Sequence, residues 1–279
     1  MRRFGNRRDV LQLLLAGGAA SPPLGWAQER GAPLPLRMIA PPAHDRFGRY
    51  LLALLQRAAE EAGSGLRIES LASVRMTQGR AELETATPGG RVDLMWGMSS
   101  ALRRRTLRRI NVRLDQGLIG WRVLVVRADD LARWPADLGV AVLRGRRAGQ
   151  GLHWPDVGIL RDNGYRVETA PDAPTLYEML QRGHIDYFPR SAMEVLDELT
   201  SVAPRGVAIV PDLALRYEAG NYVFIGAHHP EAAQALESAL QRMEARGELK
   251  RRFAAAFEPS LRELRLDRRR VIELRNTLD

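Results

Sequence analysis

Residues 90–95 read Gly-Arg-Val-Asp-Leu-Met, and residues 183–188 read Gly-His-Ile-Asp-Tyr-Phe. Both stretches follow the pattern of a glycine, any residue, a β-branched residue, an aspartate and two apolar residues. Each comes after a predicted helix, so the glycine is expected at a helix C-terminus that leads into a buried strand. The aspartate would then lie where the chain enters a sheet, in a position to cap a neighbouring helix. The repetition predicts two lobes built on a similar plan.

Around these two stretches, strand and helix patterns alternate from about Pro35, which is typical of an α/β protein. One helix is predicted after Asp45, with apolar residues at helical spacing and Gly63 at its end. Another helix is predicted from Pro230 to Gly247. The predicted strands are Leu36–Ala40, Leu66–Leu71, Val92–Trp96, Trp121–Arg127, Gly139–Leu143, Arg166–Thr169, Ile185–Phe188, Val207–Val210 and Tyr222–Ile225.

The composition excludes several kinds of chemistry. The 279 residues contain no cysteine, so disulfides, thiolate zinc sites and thiol catalysis are excluded. The formal net charge is +9, and Lys250 is the only lysine among 42 basic residues. The arginines are spread over every segment rather than clustered on one face, so no nucleic-acid partner is expected. After the N-terminus, no apolar stretch approaches the roughly 20 residues that span a bilayer.

Residues 1–27 have the pattern of an export signal. Two arginine pairs precede a short apolar region, and Gly25-Trp26-Ala27 places small residues where a signal peptidase cleaves. The run from Asn6 to Gln12 is similar to a twin-arginine export motif, with an ordinary secretory signal as the alternative. Both alternatives predict a periplasmic protein cleaved after Ala27.

Four stretches together resemble a known family of binding proteins. They are residues 91–100 (Arg-Val-Asp-Leu-Met-Trp-Gly-Met-Ser-Ser), 117–123 (Gly-Leu-Ile-Gly-Trp-Arg-Val), 149–156 (Gly-Gln-Gly-Leu-His-Trp-Pro-Asp) and 183–190 (Gly-His-Ile-Asp-Tyr-Phe-Pro-Arg). The resemblance is to the type 2 periplasmic-binding fold, and specifically to the solute-binding proteins of polar amino-acid ABC transporters.

This resemblance implies two α/β lobes that are joined by two hinge crossings and hold a ligand in the cleft between them. One lobe is expected at residues 30–116 plus 220–279, and the other at 121–214. The crossings are then expected near residues 117–120 and 218–222. Glycines at 117, 120 and 220 suit segments whose backbone angles change when lobes close.

The resemblance also implies a ligand-gripping arginine, which is Arg103 by register, with Arg104 as the second choice. A guanidinium offers a bidentate fork to a carboxylate, and Ser99 and Ser100 offer hydroxyls and backbone N–H groups beside it. The alternative is a solvated run of arginines on a helix face.

Other cleft residues are predicted from their positions beside strand ends and turns. Trp96, Trp121 and Trp154 are candidates for aromatic walls, with core packing as the alternative for each. Gln150 lies within a Gly-Gln-Gly sequence that is expected to form a turn, followed by a helix that begins at Pro155.

Arg190 and Ser191 mark a departure from the family. Amino-acid binders of this fold usually carry an aspartate about five residues after the aspartate of the second stretch, where it holds the ligand's ammonium group. In this chain that position is Ser191, and the first acid after it is Glu194. The departure favours an anionic or polar ligand over an ordinary zwitterionic amino acid.

The leading functional prediction is non-catalytic capture of a small molecule for an ABC-type permease by a monomeric protein. The alternatives are an exported accessory or sensory protein with the same fold and, less favoured, a periplasmic dehydratase-like enzyme. The five histidines show no metal-ligand spacing, so no metal and no cofactor are expected.

Overall fold

The computed structural model describes residues 34–63 and 65–278. The predicted signal peptide, residues 1–27, lies outside the described residues. Within the described part of the chain, no helix combines the length and the apolar character needed to cross a membrane.

Strands and helices alternate along the described chain. The elements up to residue 109 are β1 (Leu34–Ile39), α1 (Arg46–Ala62), β2 (Leu66–Leu71), α2 (Gln78–Ala86), β3 (Leu94–Met98), α3 (Ala101–Thr106) and β4 (Leu107–Arg109). The middle of the chain forms β5 (Trp121–Arg127), α4 (Val140–Gly145), β6 (Arg147–Gly151), α5 (Asp156–Asp162), β7 (Arg166–Ala170), α6 (Ala173–Gln181), β8 (Phe188–Ser191), α7 (Val195–Ser201) and β9 (Val207–Arg216). The last elements are β10 (Asn221–Gly226), α8 (Pro230–Ala245), α9 (Glu248–Leu264) and β11 (Arg270–Glu273).

The strands fall into two groups, which we call the first and second lobes. In the first lobe β1 pairs with β2 in parallel, and β10 lies between β3 and β4 in antiparallel pairing. In the second lobe β6 pairs with β7 in parallel, and β5 lies between β8 and β9 in antiparallel pairing. The two lobes therefore repeat one arrangement, as the two similar sequence stretches predicted.

The repeated aspartates make the same contacts in both lobes. In the first lobe Arg37 of β1 donates to Asp93 from its backbone N, Nε and Nη2, each at 2.8 Å, and from Nη2 to the carbonyl of Gly90 at 2.6 Å. In the second lobe Arg147 of β6 donates to Asp186 from the same three atoms at 2.7, 3.2 and 3.0 Å, and to the carbonyl of Gly183 at 2.8 Å. Each aspartate therefore ties its strand to the neighbouring strand. The prediction that it caps a helix was wrong, because the partner is a guanidinium on the adjacent strand.

Helix α1 forms as its sequence predicts. The Asp45 side chain accepts from the backbone N of Gly48 at 2.8 Å, and Gly63 ends the helix with a φ of +65°. Its apolar face is buried, and Phe47 and Tyr50 pack against Phe257 of α9 with ring centroids 6.0 and 5.5 Å apart. This packing joins the last helices of the chain to the first lobe.

Two connections between the lobes run side by side. The first turns at Gln116 and Gly117, which have φ values of +51° and +79°. Gly120 approaches the second connection so closely that a Cβ atom there would lie 1.9 Å from the carbonyl oxygen of Tyr217. Backbone N of Tyr217 also donates to the carbonyl of Gly120 at 3.2 Å. Gly120 is therefore required for the close approach of the two connections.

The segment of chain after α9 also contacts both lobes. Strand β11, which the sequence does not predict, pairs in parallel with β9, so part of the 220–279 segment contacts the second lobe. Beyond β11, backbone N of Ala101 in the first lobe donates to the carbonyl of Leu278 at 2.8 Å. Asn163, which follows the end of α5, exchanges two hydrogen bonds with the backbone of Arg275, at 2.8 and 3.0 Å.

Two local predictions were wrong. Residues Gly139–Leu143 were expected to form a strand, but Val140–Gly145 is a helix with Leu143 on its buried face. A short apolar run fits either element, and tertiary packing decides between them. The sequence Gly149-Gln150-Gly151 was expected to turn, but it belongs to β6, where the missing side chains leave room for Ile185 and Trp154.

Candidate functional site

A cavity of about 110 Å³ lies between the lobes, beside the two connections. Residues of both lobes and of the connections line it: Gln78, Trp96, Gly97, Met98, Ile119, Arg122, Trp154, Pro155, Asp156, Arg190, Glu194 and Asn221. The volume is below the roughly 300–1,000 Å³ of common small-molecule pockets. A ligand of this cavity must therefore be small, or the lobes must open further to admit it.

Arg103 lies beside this cavity with an exposed fraction of 1%. Its helix begins at Ser100, whose hydroxyl accepts from the backbone N of Arg103 at 3.2 Å. The guanidinium Nε and Nη2 donate to Glu82 at 3.1 and 3.0 Å, Nη2 also donates to Gln78 at 3.3 Å, and Nη1 donates to the carbonyl of Met98 at 2.7 Å. The structure thus places a carboxylate of the chain itself against Arg103.

Gly97 makes this placement of Arg103 possible. A Cβ atom at position 97 would lie 2.6 Å from Nη1 of Arg103, which is shorter than real Cβ contacts. The absence of a side chain on β3 lets the guanidinium lie flat along the strand. The guanidinium also lies 5.5 Å from the centroid of the Phe224 ring on β10.

Arg122 and Asp156 form a second buried pair in the cleft. Their side chains are 4% and 5% exposed, and Nη2 of Arg122 lies 2.7 Å from Oδ1 of Asp156. Tyr217 completes the group, because its hydroxyl accepts from Nε of Arg122 at 2.6 Å and donates to Asp156. Burial raises the pKa of the Tyr217 hydroxyl well above its usual value, so it stays a donor at neutral pH. Desolvated charges require such complete pairing to be tolerated in a protein interior.

Arg190 is the third buried arginine, and two glutamates hold it. Nε donates to Glu198 at 2.7 Å, and Nη2 donates to Glu194 at 3.0 Å and to the second oxygen of Glu198. The guanidinium carbon lies 4.9 Å from the ring centroids of both Trp154 and Phe188, which stack on each other. The positive charge of Arg190 is therefore already matched within the second lobe.

Glu194 faces the cavity with its carboxyl group. Burial raises the pKa of this carboxyl to about 6, the charge of Arg190 opposes the rise, and repulsion by Glu198 adds to it. The group therefore titrates just below neutral pH.

The three predicted tryptophans have different surroundings. Trp96 and Trp154 line the cavity from opposite lobes. Trp121 packs instead against a buried apolar cluster that includes Val123 and Phe188, and Arg216 lies over its ring at 5.2 Å. It is not among the residues that line the cavity.

The smaller predicted residues mainly hold the site together. Buried Ser99 accepts from Nη1 of Arg104 at 3.0 Å and from Nη1 of Arg109 at 3.1 Å. Gln150 is fully buried and donates to the carbonyl of Pro189 at 3.2 Å. Ser191 is also fully buried, and its hydroxyl accepts from the backbone N of Met193 at 3.3 Å.

Sequence analysis missed several residues that the structure brings to the cleft. Glu82 and Gln78 lie on α2, far from Arg103 in sequence, and the packing of that helix determines their position. Asn221 begins β10 and is 3% exposed, and its side-chain oxygen has no partner among the described residues. Among these residues, only Glu194 is marked by a sequence feature, because it is the first acid after the expected ammonium-binding position.

Residues of the two lobes are in direct contact in this structure. Nη2 of Arg46 on α1 donates to Asp197 on α7 at 2.6 Å. A Cβ atom at Gly79 on α2 would lie 2.5 Å from the ring of His153 in the second lobe. The lobes thus meet at both sides of the cavity.

Two histidines outside the cleft approach Asp93. The nitrogens of His228 and His229 and an oxygen of Asp93 lie within 4.8 Å of one another. Both oxygens of Asp93 already accept from Arg37, whose positive charge opposes a bound cation. The contacts of Asp93 are therefore consistent with a structural role, the same role that Asp186 has in the second lobe.

No protein-family model and no curated protein sequence matches the chain. Solved structures do match it. An ancestral arginine-binding protein bound to arginine superposes with a TM-score of 0.55 at 15% identity, covering 80% of this chain and 98% of that one. An amino acid ABC transporter substrate-binding protein from Streptococcus pneumoniae bound to L-arginine gives 0.55 at 14% identity, covering 74% and 82%. The GluR0 ligand-binding core from Nostoc punctiforme in complex with L-glutamate gives 0.55 at 15% identity, covering 81% and 98%.

These likenesses concern the fold, and they agree with the paired arrangement of strands and the cleft between them. The predicted α/β architecture with two lobes is confirmed. The chain has the two-lobed periplasmic-binding fold of the amino acid ABC transporter substrate-binding proteins.

Proposed function

We propose that this chain is an exported solute-binding protein, which captures a small polar molecule between its lobes and presents it to a membrane permease. The observation that carries the proposal is the interlobe cavity, which both lobes line with buried polar and aromatic side chains. Closing over a solute moves it out of water, so such a cleft discriminates by hydrogen bonding and charge. The solved neighbours that bind amino acids in this fold support the same role.

The lobes are proposed at residues 30–116 with 220–279 and at 121–214, with β11 of the 220–279 segment paired to the second lobe. The connections near 117–120 and 218–222 are proposed to act as the hinge. Gly117, with its positive φ, and the glycines beside it allow backbone rotation there. Export through the signal at residues 1–27 would place the protein in the periplasm. There it is proposed to act as a monomer.

The cleft residues proposed to contact the solute come from three places. Trp96 and Trp154 supply aromatic walls, Asn221 and Glu194 supply polar groups, and Gln78 closes the cavity from α2. The further sequence-predicted contacts, Ser99, Ser100, Arg103, Trp121, Gln150, Arg190 and Ser191, would act mainly by shaping the cleft.

A thermal-shift screen tests the proposal. A ligand that binds only the folded state raises Tm, by an amount set by its concentration relative to its Kd. We expect at least one compound among small amines, amino acids, dicarboxylates and peptides to raise Tm by several degrees at 1 mM. The matched control is Trp154→Ala, which removes one wall of the cavity and should lose most of that shift. A screen without any stabilising compound would contradict the proposal.

A further inference from the structure

Arg103 has few donors left for a ligand. A guanidinium carries five N–H donors, and Arg103 makes four hydrogen bonds, to Glu82, Gln78 and Met98. Glu82 thus occupies the fork that would otherwise hold a carboxylate. Since Glu82 is part of the same chain, its effective concentration at Arg103 is high, on the order of millimolar or above. A ligand carboxylate must compete with it.

The three arginines at the cleft and the carboxylates that pair with them carry a net charge of −1. Arg103, Arg122 and Arg190 contribute three positive charges, and the carboxylates that pair with them are Glu82, Asp156, Glu194 and Glu198. The excess negative charge lies in the second lobe, where Arg190 is shared by two glutamates. An anion entering this cleft would meet net repulsion, whereas a cation would restore neutrality.

Two polar residues that line the cavity offer acceptors to a ligand. The side-chain oxygen of Asn221 is buried and has no partner within the described residues. Glu194 lines the same cavity and engages Arg190 through one of its oxygens. Trp96 and Trp154 border the cavity, and an indole ring attracts a cation. A ligand that satisfies these groups must donate hydrogen bonds and carry positive charge.

We infer that the cleft selects a small organic cation without a carboxylate group, with Glu82 as the residue that excludes the carboxylate. This inference rests on the proposed solute-binding function and names its ligand class. The ligand's ammonium group would contact Glu194 and Asn221, between Trp96 and Trp154. Arg103 would remain bonded to Glu82. The cavity of about 110 Å³ favours a compact amine.

Calorimetric titration of three matched pairs of compounds tests the inference. Each pair differs by one α-carboxylate: ethanolamine and serine, putrescine and ornithine, and histamine and histidine. The proteins are wild type, Glu82→Ala, Glu82→Gln, and the control Glu60→Gln, which removes a negative charge from α1 at an exposed side chain. Circular dichroism establishes that each variant folds, and Glu82→Gln keeps the shape of the side chain if Glu82→Ala fails to fold.

We expect wild type to bind at least one amine at least tenfold more tightly than the corresponding amino acid. Glu82→Ala should reduce this ratio at least tenfold by strengthening amino-acid binding, Glu82→Gln should reduce it less, and Glu60→Gln should leave it unchanged. The inference is overturned if no amine binds, if an amino acid binds wild type more tightly than its amine, or if Glu82→Ala preserves the ratio. Tighter binding of an amino acid or a dicarboxylate than of any amine to wild type would overturn the inference and leave the solute-binding function standing. If no compound of these pairs or of the thermal-shift screen binds, both fail.

Discussion

The buried guanidinium of Arg103 and the half-buried carboxylate of Glu82 form an ion pair beside the interlobe cavity, with Nε and Nη2 3.1 and 3.0 Å from the same carboxylate oxygen. Arg103 is the residue that the family resemblance assigns to the ligand's carboxylate. In this chain the carboxylate that contacts Arg103 comes from Glu82 on α2. The arginine is therefore present, but its partner is a side chain of the same protein. Variants of Glu82 therefore test which solutes the cleft rejects, separately from whether it binds a solute.

Removal of Arg190 should destabilise the protein strongly. Arg190→Met leaves Glu194 and Glu198 close together in the cleft without their shared cation. Breaking a buried pair in this way costs about 3–5 kcal/mol. Urea denaturation measures the loss, and Arg182→Met is the matched control because Arg182 pairs with Glu178 on the surface at 3.6 Å. The control should change stability by less than about 1 kcal/mol. Equal losses in the two variants would contradict the assignment of Arg190 to a buried network.

Glu194 should make stability fall as the pH rises. Its pKa is raised to about 6 in the folded protein from an ordinary value of 4.5. Between these values the folded state holds a proton that the unfolded state has released, so raising the pH through this window favours unfolding. On going from pH 4 to pH 7, wild type should lose about 2 kcal/mol relative to Glu194→Gln, since one pKa unit corresponds to about 1.4 kcal/mol. Urea denaturation at both pH values measures this loss. An equal change in the free energy of unfolding of the two proteins would show that Glu194 titrates normally.

The two Arg–Asp pairs of the strand edges should differ in their contribution to stability. The Asp93 side chain is 5% exposed and the Asp186 side chain 28% exposed, although both accept from an arginine on the neighbouring strand. Hydrogen bonds to charged groups contribute about 1.5–3 kcal/mol when they are buried. Asp93→Ala should therefore cost about 2–3 kcal/mol, and Asp186→Ala less. The midpoint of thermal unfolding compares the two variants, and a larger loss for Asp186→Ala would contradict the burial argument.

A side chain at position 79 should hold the lobes apart. A Cβ atom at Gly79 would lie 2.5 Å from the His153 ring across the cleft. Gly79→Leu should weaken binding of any cleft ligand at least tenfold, since closure costs more. Calorimetry with the compound from the thermal-shift screen measures the loss. The second variant, Gly79→Leu with His153→Ala, should regain part of the affinity. Wild-type affinity in Gly79→Leu would mean that closure does not bring α2 against residue 153.

Much of the fold could be predicted because it depends on local patterns. Strands β2 and β5 have the predicted bounds, α1 has its predicted cap and end, and the two similar sequence stretches occupy equivalent places in the two lobes. Short or glycine-rich segments were less predictable, as α4 and β6 show, because their neighbours decide their conformation.

The site could be predicted in part, for a physical reason. The family resemblance points to Arg103 as a cleft residue, but no local pattern indicates that Glu82 will reach it from α2. Similarly, the expectation of an anionic or polar ligand came from Ser191 at the expected ammonium-binding position and from Arg190 beside it. In the folded protein two glutamates at the start of α7, Glu194 and Glu198, match the charge of Arg190. Partners of buried charges are set by tertiary packing, so their identities follow only from the structure.

The central claim is that the two lobes close over a solute at the cavity between them. Small-angle X-ray scattering tests it most directly, with wild type and Gly79→Leu measured alone and with a saturating concentration of the compound that gives the largest thermal shift. The account predicts that the compound reduces the radius of gyration of wild type without broadening its distribution of interatomic distances. Gly79→Leu should keep the larger radius of gyration when the compound is present. A wild-type radius of gyration that is unchanged at saturation, and equal to that of Gly79→Leu, would contradict it.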